Sequence, residues 1–120
     1  IEIAQQVRTI DFMPTILNYL EIKQDQSYEN MDGVSLLPLM NGNSMEEKIA
    51  FSETGNPLDD KKPPKEPNTK SIRTSKWKLI INEYSNTREL YDLENDPDEK
   101  NNVVKKYTDV EQTLRDKFFI

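Results

Sequence analysis

The chain has 120 residues, a formal net charge of -6, and neither histidine nor cysteine. Those absences exclude a His general base, Ser-His-Asp and Cys-His nucleophile pairs, His or Cys zinc sites, disulfides and iron–sulfur clusters. Apolar residues make up 34% and charged residues 32%, so the core is thin or part of the apolar surface packs on something else, and the acidic balance argues against nucleic acid or an anionic membrane as a partner.

Ile3, Val7, Ile10, Met13, Leu17 and Leu20 recur at three- and four-residue steps, which is a helical period. Pro14 interrupts that run. A proline deep in a helix loses a hydrogen bond and clashes with the preceding turn. The spacing therefore predicts a helix from about 11 to 20, with Asp11 as N-cap and Pro14 in the first turn, where its missing N–H is harmless. Asp32-Gly33 signals a turn. Val34 to Met40 is a short Leu-rich segment closed by Asn41-Gly42, and Ser35 can cap a turn or two of helix there.

Ile49 to Thr54 alternates with period two and reads as a strand. Residues 55–70 hold Pro57, Pro63, Pro64 and Pro67 among charges and read as a long loop. Ile72 to Thr74 and Trp77 to Ile81 form one strand or two consecutive ones, with Trp77, Leu79 and Ile81 on one face. After a turn at Ser85-Asn86-Thr87, Glu89 to Leu93 returns as a strand, which suggests an antiparallel hairpin. Asn95-Asp96-Pro97-Asp98 is a turn. Thr108 to Glu111 fits a capping box, and Val110, Leu114 and Phe118 follow at helical spacing. A C-terminal helix from about 109 to 119 results. The fold class is α+β: a small antiparallel sheet of about four strands, with helices at the ends of the sequence.

No stretch approaches the roughly 20 apolar residues that span a bilayer, and no basic segment precedes an apolar run as in a signal peptide. The chain begins at Ile1 rather than methionine and reads as a piece of a longer protein.

Several groups of side chains are of types that carry chemistry. Asp92, Glu94, Asp96, Asp98 and Glu99 alternate as in a calcium loop. Counting from Asp92, however, position six is Pro97 and position twelve is Val103, where an EF-hand needs Gly and Glu. A solvated turn whose Asp side chains cap backbone amides fits better. Asp59-Asp60 and Asp98-Glu99 are paired carboxylates, but their polar surroundings offer no burial to split their pKa values for acid–base work. Lys61, Lys62, Lys65, Lys70, Arg73, Lys76 and Lys78 are the one basic concentration. They can meet an anionic substrate, or they can form a solvated loop and outward-facing strand residues. Trp77 is expected in the core rather than as a stacking platform. Arg73 is expected to pair with Glu53 or Asp92. Tyr91 is expected half-buried, with its hydroxyl bonded or wet.

Four blocks in order resemble the C-terminal part of a sulfatase, in the alkaline-phosphatase-like superfamily. Val7 to Leu17 resembles the family's Asp-Leu-x-Pro-Thr-Leu-Leu block through Asp11, Pro14 and Thr15. Asp32 to Met40 resembles Asp-Gly-x-Ser-Leu-x-Pro-Leu. Ser71 to Ile80 resembles the Arg-Thr … Lys-Leu-Ile strand. Glu89 to Asn102 resembles Leu-Tyr-Asp-Leu-x-x-Asp-Pro-x-Glu-x-x-Asn. The likeness runs from about residue 7 to 104.

The resemblance implies a parent enzyme that hydrolyses sulfate esters with a formylglycine and a divalent metal, usually calcium. It implies a periplasmic, secreted or lysosomal parent. It divides the chain into 1–45, the tail of the catalytic α/β domain, and 46–120, a C-terminal sheet subdomain whose loop 55–70 shapes the pocket rim. Formylglycine is made within Cys/Ser-x-Pro-x-Arg, which is absent here. The family's metal and sulfate ligands lie upstream of the first block. No catalytic or metal residue therefore transfers to this chain, and no substrate-binding residue is assigned. The implied partner is the missing N-terminal catalytic domain. Two alternatives are a fragment of a phosphonate or phosphate ester hydrolase of the same superfamily, and a non-enzymatic module binding anionic glycans through Lys61, Lys62 and Lys65.

Overall fold

The computed structural model describes residues 2–23, 31–54, 69–83 and 85–119, with Phe119 described by its backbone alone. The chain divides into two compact units, Ile1–Lys48 and Ile49–Ile120.

In the first unit a 3-10 turn, Thr9–Asp11, runs into helix α1, Phe12–Tyr19. Pro14 is the third residue of α1, inside the first turn, and is buried. There the missing N–H breaks no helical bond. The helix closes on Glu21, which takes a left-handed φ of 54°. Ile22 N–H reaches the Leu17 carbonyl at 2.9 Å, and Glu21 N–H reaches that of Asn18 at 3.2 Å. This pair of bonds is a Schellman closure, a place where Gly is the usual residue. Helix α2 is a single turn, Leu37–Met40. Ser35 Oγ accepts a hydrogen bond from Leu37 N–H at 3.3 Å.

One polar stripe of α1 clamps the segment that leads into α2. Asp11 Oδ1 accepts from Val34 N–H at 2.9 Å. Thr15 Oγ1 accepts from Leu36 N–H at 2.9 Å. Ser35 Oγ donates to Asn18 Oδ1 at 2.9 Å. Positions 11, 15 and 18 share a helix face by their spacing, so one face meets three consecutive residues. Gly33 is required by close approach: a Cβ there would lie 2.0 Å from the Ile10 carbonyl oxygen and 3.1 Å from Pro14 Cγ. Asp11 caps α1 with its backbone but not its side chain, which turns back to Arg8 and across to Val34.

The second unit is a four-stranded antiparallel sheet in the order β1-β2-β3-β4. The strands are β1 Ala50–Thr54, β2 Thr69–Arg73, β3 Trp77–Asn82 and β4 Thr87–Asp92. Residues 72–81 thus form two strands joined by a tight turn, in which Thr74 Oγ1 accepts from Trp77 N–H at 2.9 Å. β2 begins at Thr69 because Thr69 pairs with Thr54 on one side and Asn82 on the other. The expected loop therefore loses residues 69 and 70 to the sheet, and its remainder, 55–68, lies outside the described residues.

Helix α3, Thr108–Asp116, continues as a 3-10 turn, Lys117–Phe119. Ile72, Leu79 and Leu90 stand in register on adjacent strands and are fully buried with Leu114 of α3. Trp77, Ile81, Val110 and Phe118 pack around them. The Trp77 and Tyr107 rings lie 5.2 Å apart. Trp77 is thus a core residue, as its position on the Leu79 face predicts. Burying four such side chains supplies about 1.5–3 kcal/mol apiece. The capping box expected at Thr108 is not formed. Tyr107 is the N-cap without a side-chain bond, and Glu111 is drawn instead to Arg88 and Arg115, each at 3.4 Å. Two guanidinium charges on a buried carboxylate outcompete one backbone amide.

Candidate functional site

The acidic run becomes a turn stabilised from within. Asp96 accepts from the backbone N–H groups of Asn101 at 2.7 Å and Lys100 at 3.1 Å. Those two amides hold its carboxyl below the usual carboxylate range. Asp92 accepts from the Asn95 side-chain amide at 2.8 Å, which lowers its pKa as well. Asp98 pairs with Lys100, and Glu99 with Lys78, both at 2.6 Å. Each carboxylate of the turn except Glu94 is thus bonded within the turn or to β3, and Glu94 pairs with Lys76 at 3.0 Å. Among the described residues no group of three or more acidic side chains is placed to hold a metal ion. Asp98-Glu99 is not a like-charge dyad, because each carboxylate has its own cation. Asp59-Asp60 lies outside the described residues.

The basic concentration is similarly divided. Lys70 lies 3.0 Å from Glu83 and 3.9 Å from Glu53. The hydrogen bond to Glu83 raises its pKa. Lys76 is raised by Glu94, and Lys78 is held by Glu99. The register sets Glu53 opposite Lys70, whereas Arg73 stands opposite Ala50 and Lys78. Glu53 has Lys70 as its cross-strand neighbour. Lys61, Lys62 and Lys65 lie outside the described residues. Tyr91 is half-buried and donates its hydroxyl to Glu89 at 3.0 Å. Burial first, and then Glu89, pushes its pKa up, so it is a neutral donor rather than a base.

The strongest electrostatic anchor is in the first unit. Asp11 is 1% exposed. Its carboxylate accepts from the Arg8 guanidinium at 2.8 Å and 3.2 Å, and from the N–H groups of Arg8 at 3.0 Å and Val34 at 2.9 Å. Burial alone would raise its pKa, but these bonds outweigh it and hold the carboxyl below its ordinary value. A fixed, fully bonded carboxylate positions backbone. It has no lone pair left to bind a substrate cation.

Two further groups had no clear sequence signal. Asn102 Oδ1 accepts from Leu90 N–H and Val104 N–H, both at 3.0 Å, while its amide donates to the Arg88 carbonyl at 3.3 Å. Val103 N–H adds a bond to the Leu90 carbonyl at 2.8 Å. The terminal Asn of the fourth block is the one hint of this staple. The second group is Arg88, Glu111 and Arg115, which meet across 23 or more residues of separation or one helical turn; no pattern in the chain announces that meeting.

The arrangement is therefore a scaffold whose polar residues hold backbone. The family profile of the N-sulphoglucosamine sulphohydrolase C-terminal region matches residues 1–119. No curated protein sequence matches the chain. Among solved structures, a putative sulfatase from Bacteroides thetaiotaomicron VPI-5482 superposes with a TM-score of 0.72 at 23% identity, over 90% of this chain and 23% of that one. Ps i-CgsB in complex with k-i-k-neocarrahexaose gives 0.74 at 19% identity, over 95% and 24%. A structure in complex with its substrate D-glucosamine-2-N,6-O-disulfate gives 0.67 at 23% identity, over 88% and 22%. The chain thus spans about a quarter of the length of these structures, and the likeness establishes the shared fold. On the match over residues 1–119, the chain belongs to the N-sulphoglucosamine sulphohydrolase C-terminal family, the C-terminal region of sulfatases.

Proposed function

We propose that this chain serves a sulfatase acting on a sulfated saccharide, as the non-catalytic region that packs against the catalytic portion and completes its fold. The observation that carries this reading is the outer face of α1. Phe12, Met13, Ile16, Tyr19 and Leu20 are exposed at 54%, 58%, 53%, 68% and 57%, so an eight-residue helix leaves its bulkiest side chains to water. Such a face marks a surface built to be covered. The chain matches only 22–24% of the three structures described, which leaves most of a sulfatase to supply the cover. Residues 1–45 then form the end of the catalytic α/β domain, and residues 46–120 the C-terminal sheet subdomain.

The saccharide class is supported by the family's name and by the sugar ligands named with two of the structural neighbours. In this reading formylglycine and calcium belong to the catalytic portion. Among the described residues none fits either group: no Cys/Ser-x-Pro-x-Arg occurs in the sequence, and each carboxylate of the 92–99 turn has a partner on at least one oxygen. No catalytic step is assigned to any of them.

The test is reconstitution. The 120-residue chain alone should turn over no aryl sulfate. A sulfatase polypeptide containing it should be active, and the same polypeptide carrying Phe12→Asp and Ile16→Asp should lose soluble yield and activity together. Turnover by the isolated chain, or full activity of the doubly charged variant, would refute the proposal.

A further inference from the structure

We propose that Asn41–Gly42 is a site of self-modification, where the chain converts its own asparagine to aspartate and isoaspartate, and that the closing turn of α2 sets the rate. Asn41–Gly42 is the only Asn-Gly step in the chain. The reaction needs only water. The backbone nitrogen of Gly42 gives up its proton and attacks Cγ of the Asn41 side chain. A new N–C bond forms, and the side-chain nitrogen leaves as ammonia. Water then opens the five-membered imide at one of its two carbonyls, giving aspartate or an isoaspartate whose main chain runs through the side-chain carbon. Glycine favours the first step because no Cβ crowds the attacking nitrogen.

The surroundings leave room for the ring. Asn41, Gly42 and Asn43 are exposed. A Cβ placed on Gly42 would meet no atom within 4 Å. Asp32–Gly33 offers a related ring closure in the sequence, but a Cβ at Gly33 would lie 2.0 Å from the Ile10 carbonyl oxygen, so that glycine is wedged in place. Open space at one step and close contact at the other single out Asn41.

The end of α2 holds the reacting nitrogen back. Gly42 N–H donates to the Leu39 carbonyl at 3.0 Å, and Asn43 N–H donates to that of Pro38 at 2.9 Å. At the Asn41 ψ of 7° the Gly42 nitrogen eclipses the Asn41 nitrogen rather than its Cβ. That torsion has to rotate, and the bond to Leu39 has to break, before Cγ comes within reach. α2 is a single turn with no buried residue, and one turn does not persist by itself. It is anchored at its entry, where Leu36 is buried and its N–H is bonded to Thr15 Oγ1 at 2.9 Å. Release of that anchor frees the turn, and the reaction then runs at the open-chain rate multiplied by the fraction of time spent open. Isoaspartate adds a carbon to the main chain and a carboxylate beside the carbonyl end of α2, where the peptide dipoles already concentrate negative charge. The original closure does not re-form on it, so each event leaves a lasting record of one opening. This site does not depend on the docking reading and is read by mass, not turnover.

The test incubates the polypeptide that carries this chain at mildly alkaline pH and maps deamidated and isoaspartyl peptides by mass spectrometry. Modification should concentrate at Asn41, proceed more slowly than in a synthetic peptide of residues 36–45, and speed up as pH rises. Thr15→Val, which removes the partner of Leu36 N–H, should raise the rate about fivefold, the change that one hydrogen bond makes in an opening equilibrium. Thr15→Ser, which keeps the hydroxyl, should return it to the slow rate, and it answers the case in which Thr15→Val disturbs the fold at large. Asn41 left intact in both the unsubstituted polypeptide and Thr15→Val, while the synthetic peptide reacts, would overturn the site. A folded rate equal to that of the peptide, or equal rates with and without Thr15→Val, would overturn control by α2.

Discussion

The two units of this chain solve the same problem in opposite ways. In residues 49–119 the apolar residues turn inward: Ile72, Leu79 and Leu90 are sealed beneath α3 with Leu114. In residues 2–48 Leu36 is the only hydrophobic core residue among the described positions, at 9% exposure, and the apolar face of α1 points outward. What orders that unit is a set of hydrogen bonds from Asp11, Thr15 and Asn18 to residues 34–36. One unit is held by burial and the other by polar clamping. The lesson is that a thin apolar share need not mean a uniformly thin core: here it is a proper core in one unit and almost none in the other.

The contrast can be broken by substitution, starting from the largest effect. Leu79→Ala removes a fully buried side chain at the centre of the sheet and should destabilise the second unit by about 3 kcal/mol. Denaturant melting followed by Trp77, the only tryptophan, reads that unit specifically. A loss below about 1 kcal/mol would mean the core is not what holds the sheet. Asp11→Ala should cost about 2 kcal/mol, a reduced figure for a charge pair whose Arg8 side chain is 17% exposed. It should appear as faster amide exchange at Val34 with the Trp77 transition unchanged. Loss of both signals together would show that the units are not held independently.

Acid sharpens the same comparison. Asp11 has a pKa below its ordinary value in the folded chain. The folded state therefore binds its proton less readily than the unfolded state does. Its contribution is present above the unfolded value of about 3.9 and is lost as pH falls through the lower, folded value. Protection of the Val34 amide should collapse over that acidic window, and Asp11→Asn should abolish the pH dependence. Asn102→Ala leaves Leu90 N–H without its partner and should cost about 1 kcal/mol, read in the Trp77 transition. Lys78→Met, which breaks a half-exposed pair with Glu99, should change stability by less than about 1 kcal/mol. A larger loss there would show that the turn 92–99 contributes more to the sheet than its exposure suggests.

Much of the fold was legible in the chain. Pro14 placed the start of α1, the period-two runs gave β1 and β3, and Val110, Leu114 and Phe118 gave α3. The misses have physical causes. The start of β2 at Thr69 follows from pairing with both neighbours, which Thr, Lys and Ser do not announce. The end of α1 falls where the spacing predicts, although the left-handed residue that closes it is Glu21 rather than the usual Gly. The capping box failed because Glu111 had a stronger partner 23 residues away in Arg88. In the sequence the four family blocks stand as separate signatures. In the structure they meet in pairs: Asp11, Pro14 and Thr15 against Gly33 to Leu36, and β3 against β4 with Asn102 closing the pair. What the blocks encode here is backbone attachment, and long-range attachment is what a linear pattern conveys least.

The Asn102 staple has a consequence for how the sheet meets other chains. Beside β4, the Asn102 side chain and the Val103 amide already occupy the hydrogen-bonding groups of Leu90, so an incoming extended peptide would have to evict them. Templated growth of this sheet, whether orderly assembly or the first step of fibril formation, is thereby resisted at the β4 margin beside Leu90.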